Sequence, residues 1–313
     1  MSSSTALYAA ADIGGTKIYG GLVRADGTEV AGQAFSTPLG DGGGEKAVQM
    51  LLQVWRHLAH KKGIAWERVQ GFGLAVAGPV DIQRQTVENP YTLPGWEHFP
   101  LGVRLQQEGK RPAVLDNDAN GALLGEIALR KWQNKRVLML TFGTGIGAAF
   151  YDGNGLYRAE GAYHPEMGHI LVASGEGEEP CYCGQKGCFE NLCSGTALNR
   201  RARRYGFSDF DEAAGLTKEN PQAAAFLQTV EQEMSAGLWS LCTVFRPQIV
   251  LGGGGVMARH FPVLQRAANR IPQNRDFTGP VQVQPASPGG KAPLIGAAMF
   301  IHRKLSGKDG DSL

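Results

Sequence analysis

One short run restricts what this chain can fold into more than any other. Cys181, Cys183 and Cys188 stand in C-Y-C-G-Q-K-G-C, and His169 precedes them across H-I-L-V-A-S-G-E-G-E-E-P. Glycines inside the run permit the tight turns that bring sulfurs together. Three thiolates and one imidazole form a Cys3His donor set, which zinc takes as a closed, tetrahedral structural site. The segment is therefore expected to be a metal knuckle held by His169, Cys181, Cys183 and Cys188. Glu166 and Glu190 flank it. Three of the 5 cysteines lie in the run, so metal binding in a reducing cytosol fits better than a disulfide framework. Cys242 lies in an apolar helical stretch and is read as core, and Cys193 as packing.

The 313 residues are 42% hydrophobic, enough for a sizeable core in two lobes. A formal net charge of +2 gives no electrostatic case for a nucleic-acid partner. No apolar run reaches the roughly 20 residues of a membrane helix. Met1–Thr5 is short and polar, is expected to be a disordered lead-in, and is not followed by a signal-peptide pattern. A cytoplasmic protein without membrane or nucleic-acid partners is the expectation.

The chain opens with an apolar run, Leu7–Ile13, that breaks at Gly14-Gly15, and a second run follows at Ile18–Val23. Asp26-Gly27 signals a further hairpin turn before Thr28–Phe35, so the start reads as a β-meander. In its first turn, D-I-G-G-T-K, glycines let backbone N–H groups approach an anion. Thr16 and Lys17 add a hydroxyl and a cation, and Asp12 is placed to hold a metal–phosphate water. Taken alone, this turn is equally an ordinary hairpin. Glu45–Lys62 carries helical apolar spacing. Gly71–Ala77 reads as a strand ending in Gly78-Pro79. Asn89–Pro100 reads as a loop in which Trp96 either stacks on a sugar or packs at an edge, and His98 is read as surface. Ala113–Leu115 delivers D-N-D-A-N to a helix at Ala119–Lys131, with Asn117 or Asp118 as its N-cap. A cap is the ordinary role of such residues, but the end of a strand is also where α/β enzymes place chemistry, and Asp118 is the better-placed general base. Arg136–Phe142, then Gly143-Thr144-Gly145-Ile146-Gly147, then Ala148–Tyr151 repeats the strand, glycine turn and strand of the N-terminus. Two such turns suggest a duplicated fold that holds phosphates. Arg200, Arg201, Arg203 and Arg204 read as a solvated helix face. Pro221–Phe245 is a long helix, and Gln248–Leu251 runs into Gly252–Gly255 and another helix, a flat backbone surface beside a helix N-terminus.

D-I-G-G-T-K at Asp12–Lys17, L-D-N-D-A-N at Leu115–Asn120, F-G-T-G-I-G at Phe142–Gly147, E-M-G-H at Glu166–His169, the knuckle at Cys181–Glu190 and L-G-G-G-G at Leu251–Gly255 resemble the ROK family in order and over nearly the whole chain. That family contains bacterial sugar kinases and related repressors. The resemblance implies a two-lobed, actin-like and hexokinase-like α/β ATPase fold with a central cleft. Lobes of residues 1–118 and 119–293 are expected, with the C-terminal helix 294–313 packing back on the first. It implies ATP, Mg2+ and structural Zn2+ as cofactors, a hexose substrate and a homodimer. Asp118 would be the base that takes the proton from the attacking sugar hydroxyl, and Asn117 would hold neighbouring hydroxyls. Glu166, His169 and Glu190 would hold the anomeric end, with one His169 nitrogen on zinc and the other toward sugar. Gly78 would line the sugar pocket. Asp12, Gly14, Gly15, Thr16, Lys17, Gly143, Thr144, Gly145, Gly253, Gly254 and Gly255 would hold Mg–ATP. Asn89–Trp96 is longer than the short N-L-x-x-W pattern of glucokinases in the family. His164-Pro165 before Glu166 resembles fructokinase-like members, whereas the full three-cysteine knuckle is shared with glucose, fructose, N-acetylglucosamine and N-acetylmannosamine kinases. Repressors of the family carry a DNA-binding domain before D-I-G-G-T-K. Only eleven residues precede Asp12 here, so a kinase is expected.

Overall fold

A computed structural model describes residues 6–159, 164–174, 179–272 and 276–307. Met1–Thr5 and residues 308–313 of the expected C-terminal helix lie outside it. The described chain forms two compact units, the first from residues 6–134, 153–159, 164–165 and 289–307, the second from 135–152, 166–174, 179–272 and 276–288.

The first unit opens as the expected meander: β1 (Leu7–Ile13), β2 (Lys17–Arg24) and β3 (Glu29–Ser36) pair antiparallel, and α1 (Gly43–Lys61) follows. Then come β4 (Val69–Val76), a two-residue hairpin of β5 (Val80–Asp81) and β6 (Thr86–Val87), α2 (Leu101–Gly109), β7 (Ala113–Asn117) and α3 (Asp118–Arg130). The sheet order is β3-β2-β1-β4-β7, with β4 parallel to β1 and β7 parallel to β4. Parallel strands are covered on both faces, so β1 reads as a continuous apolar run, not an alternating one. Its odd residues, Leu7, Ala9, Ala11 and Ile13, join a core with Val48, Leu51 and Trp55 of α1. On the other face the Tyr8 hydroxyl lies 2.9 Å from His302 Nδ1 of the last helix. Trp96 belongs to the first core too: it is fully buried and donates to the Pro38 carbonyl at 2.8 Å, so the indole packs and offers no open face to a sugar. His98 is exposed, as expected, yet its Nδ1 lies 2.5 Å from the Glu88 carboxylate.

The second unit carries β8 (Val137–Phe142) and β9 (Ile146–Tyr151), an antiparallel pair around the second glycine turn. Next come α4 (Phe189–Cys193), α5 (Gly195–Arg204), α6 (Phe210–Gly215), α7 (Pro221–Phe245), β10 (Ile249–Gly253), α8 (Gly254–Asn269) and β11 (Gln282–Pro285). The order is β11-β10-β8-β9, with β10 parallel to both β8 and β11. Each unit thus places a glycine-turn hairpin beside parallel strands. The arginine cluster of α5 is a solvated face only in part: Arg203 and Arg204 are exposed, but the other two turn inward. Arg201 is buried, forks onto Glu233 at 2.6 and 2.8 Å and donates to the Leu192 carbonyl. Arg200 reaches the Asn191 carbonyl at 2.9 Å. A long arginine can bury its stem and satisfy its fork on acceptors, which charge counting along the sequence misses.

Helix α9 (Ala292–Leu305) returns to the first unit, and α3 packs there as well, where a boundary at Asp118 had been expected. The physical reason is glycine. A Cβ on Gly296 would stand 1.7 Å from the Gly121 carbonyl oxygen, and one on Gly125 would stand 1.9 Å from that of Ala292. The two helices cross backbone against backbone, so α3 is held by α9.

Candidate functional site

In the first unit, β1 ends on Asp12 and Ile13 and the D-I-G-G-T-K turn closes with Gly14 N–H donating to the Lys17 carbonyl at 3.0 Å. Thr37 laces this turn, its hydroxyl donating to the Gly14 carbonyl at 2.7 Å. A Cβ at Gly15 would meet the Thr92 carbonyl at 2.6 Å, so only glycine fits there, while Thr16 and Lys17 are exposed. Asn117 is the N-cap of α3, accepting from Ala119 N–H at 2.8 Å, and Asp118 is the first helical residue. Its half-buried carboxylate also accepts from Ala119 N–H, at 2.9 Å. Asp12 feels this carboxylate: burial pushes the Asp12 pKa up to about 7, Asp118 adds to the rise and Lys17 opposes it. A Cβ at Gly78 would stand 2.5 Å from the Asn117 amide nitrogen. Asn89 fixes that turn, donating to the Ala77 and Gly78 carbonyls at 3.0 and 2.6 Å.

Asp116, just before this pair, is almost fully buried. It accepts from Asn117 N–H and from the Asn120 amide, and it is paired with Arg158. Burial pushes the nearby His164 down to about 4, against Asp116 and with Arg158, so its imidazole is neutral at physiological pH.

In the second unit one backbone residue organises the acidic and imidazole groups. Ile146, at the start of β9, donates its N–H to Glu190 Oε2 at 2.7 Å. Its carbonyl lies against Gly168, where a Cβ would stand 2.4 Å away, so the single 3-10 turn Met167–His169 closes onto β9 only with glycine at that position. This is the physical reason for the E-M-G-H spacing. Glu166 precedes the turn, and partial burial holds its carboxyl above the usual range, with His169 opposing and Glu190 adding. Gly145 is also crowded by Glu190, whose Oε2 lies 2.4 Å from where a Cβ would stand, whereas Gly143 and Gly255 face open space and Thr144 is exposed. Gly253 caps α8, and Gly254 adopts φ +85°, with the Phe142 carbonyl 2.4 Å from a would-be Cβ.

The four knuckle residues converge. One donor atom each from His169, Cys181, Cys183 and Cys188 lies within 4.8 Å of the others. Cys183 and Cys188 sulfurs are 3.4 Å apart, and His169 Nδ1 is 3.6 Å from the Cys181 sulfur. Tetrahedral zinc with bonds of about 2.0–2.3 Å needs donor separations of this order, so the cluster is compatible with a zinc knuckle. The imidazole therefore presents Nδ1 to the sulfurs and Nε2 outward. Nε2 lies 2.9 Å from the Tyr182 hydroxyl, and the two rings meet edge to face at 5.0 Å.

The family model described as the ROK family matches residues 8–304. This chain belongs to the ROK family. Its architecture is the two-lobed α/β fold of the ROK sugar kinases. A ROK hexokinase from Thermus thermophilus is 30% identical with a TM-score of 0.81, over 97% of this chain and 100% of that one. A ROK family glucokinase from Streptomyces griseus, solved with glucose and AMPPNP, is 29% identical with a TM-score of 0.73, over 94% and 98% of the two chains. The N-acetylmannosamine kinase of Vibrio cholerae is 30% identical over 92% of this chain and 97% of its own.

Reasoning from the sequence missed several residues of this ROK chain. Ile146 acts through its backbone, which no side-chain motif announces. Asn89 had a signal, an Asn before Pro90 in a loop. Tyr182 had one also, an aromatic hydroxyl between two ligand cysteines. The Asp12 shift has a measurable consequence. Its folded pKa, about 7, lies above the unfolded value near 3.8. The native state therefore holds its proton more tightly, and stability falls as pH rises from about 4 to 7. Asp12→Asn removes the titration. Without nucleotide or divalent cation, this variant is expected to melt a few degrees above wild type at pH 8 and close to it at pH 4. An equal difference in melting temperature at both pH values would contradict the shift.

Proposed function

We propose that the protein is an ATP-dependent hexose kinase that phosphorylates a glucose-type sugar at its 6-hydroxyl. The observation that carries this reading is Asp118, a half-buried carboxylate set at the first turn of α3 beside Asn117 and Asp12. Phosphoryl transfer asks mainly for positioning and charge neutralisation, plus one carboxylate to orient and deprotonate the attacking hydroxyl. Asp118 takes that proton and Asn117 holds a neighbouring hydroxyl. Glu166, His169 and Glu190 hold the anomeric end of the sugar. The exposed Thr16, Lys17, Thr144 and Gly255 and the open Gly143 are disposed to receive phosphates. Mg2+ bound with ATP would neutralise the phosphate oxygens, with Asp12 holding one of its waters. Zinc held by His169, Cys181, Cys183 and Cys188 would supply no Lewis-acid step, since all four positions are protein donors, and would serve to hold the imidazole in place.

Glucose is favoured because two of the similar proteins are named hexokinase and glucokinase. Fructose, N-acetylglucosamine or N-acetylmannosamine is the second reading, supported by His164-Pro165 before Glu166 and by the similar N-acetylmannosamine kinase. A coupled assay of ADP release over glucose, mannose, fructose, N-acetylglucosamine and N-acetylmannosamine tests both. The highest kcat/KM is expected with glucose; no turnover on any of the five would reject the kinase reading.

A further inference from the structure

His169 turns the ring nitrogen away from the sulfurs toward Tyr182. Its Nδ1 faces the cysteine sulfurs, so metal binding leaves Nδ1 without a proton and places the single imidazole proton on Nε2. That proton points at the Tyr182 oxygen, 2.9 Å away. Tyr182 in turn hydrogen-bonds the Glu190 carboxylate. Since Nε2–H donates to the tyrosine oxygen, the phenol donates its own proton to Glu190. Glu190 is already anchored on Ile146 N–H through Oε2. The chain therefore runs from the metal knuckle through His169 and Tyr182 to Glu190 and β9.

A sugar hydroxyl held by both His169 and Glu190 would have this same pattern, accepting from Nε2–H and donating to the carboxylate. We propose that the Tyr182 hydroxyl stands in for that sugar hydroxyl and must be displaced for the sugar to bind, which makes Tyr182 a determinant of sugar affinity. The proposal rests on the kinase reading above. One imidazole proton serves one good acceptor, so tyrosine and sugar exclude one another at His169. Displacement is cheap in packing: Tyr182 is 69% exposed, and its ring meets that of His169 edge to face. For a sugar to bind, the protein must first give up the tyrosine bonds, so apparent affinity is reduced by the fraction of molecules in which the tyrosine is seated.

Tyr182→Phe keeps the ring and removes the hydroxyl. Calorimetric titration with the best sugar of the panel, without nucleotide, is expected to give a Kd about fivefold tighter than wild type, the equivalent of one ordinary net hydrogen bond. KM for that sugar should fall with it, while kcat and a zinc content of about one per chain stay unchanged. Damage to the knuckle would weaken binding, so tightening separates competition from structural support. Unchanged Kd overturns the inference, and weaker binding with full zinc overturns it by making the hydroxyl a direct sugar contact. A wild type that binds none of the five sugars rejects the kinase reading, and this inference with it.

Discussion

Asp118→Asn is expected to lose roughly two to four decades in kcat while sugar binding survives, the usual worth of acid–base catalysis. The substitution is nearly isosteric. An asparagine oxygen can still accept from Ala119 N–H, as Asp118 does at 2.9 Å, and the cap itself belongs to Asn117, so α3 should stay intact. What disappears is the capacity to take a proton. Removing the charge also relieves the repulsion that helps to raise the Asp12 pKa. Nucleotide and metal affinity should therefore not fall. Steady-state kinetics with the best sugar, a sugar titration and a melting curve together form the measurement. Turnover within a factor of three of wild type would remove Asp118 from the mechanism. A matching collapse in sugar affinity and melting temperature would make it a structural cap.

Elements whose boundaries are written in side-chain chemistry were the legible ones. Helix α7 begins at Pro221 after Asn220, which accepts from Gln222 and Ala223 N–H groups, and both residues are recognisable start signals. Strand β1 is legible because it is apolar up to Asp12 and stops at a glycine pair. Helix α2 was not legible: it has nine residues and ends at Lys110 with φ 55°, a left-handed cap without the glycine that usually marks one. The packing of α3 with α9 was missed because it depends on Gly121, Gly125 and Gly296 meeting across a long sequence separation, and small residues in a helix carry no partner label. In the site, the convergence of the four knuckle residues was legible because donor type and spacing point to a metal. The part of Ile146 was not, since it works through backbone atoms, and the place of Tyr182 between two cysteines does not reveal its contact with His169, which exists only once the knuckle has closed.

Loss of the knuckle metal is expected to cost at least tenfold in sugar affinity, although the proposed phosphoryl transfer routes no step through a knuckle atom. Tyr182–Lys186 are all exposed, so little apolar burial holds this loop. What fixes it is convergence of three sulfurs and Nδ1 on one point, together with a few backbone bonds such as Cys181 N–H to the Gln185 carbonyl at 2.8 Å. Without the cation, burial and neighbouring sulfurs push the Cys188 thiol up to about 12, so it returns to the neutral form and the electrostatic tie is gone. His169 then keeps its 3-10 turn but loses the constraint on its ring, and outer supports of metal-bound histidines typically carry 10- to 100-fold effects. Cys183→Ser is the cleaner test because Cys183 is exposed and its loss opens no cavity, unlike the buried Cys181 and Cys188. Elemental analysis should read about one zinc per chain in wild type and almost none in the variant. Its sugar Kd should rise at least tenfold, as should that of wild type stripped by a chelator. Stripping needs a reductant present, because sulfurs 3.4 Å apart at Cys183 and Cys188 are placed to oxidise to a disulfide and hold the loop by other means. A zinc-free protein that binds sugar as tightly as wild type would show that backbone bonds alone hold His169, and would make the metal dispensable to the site.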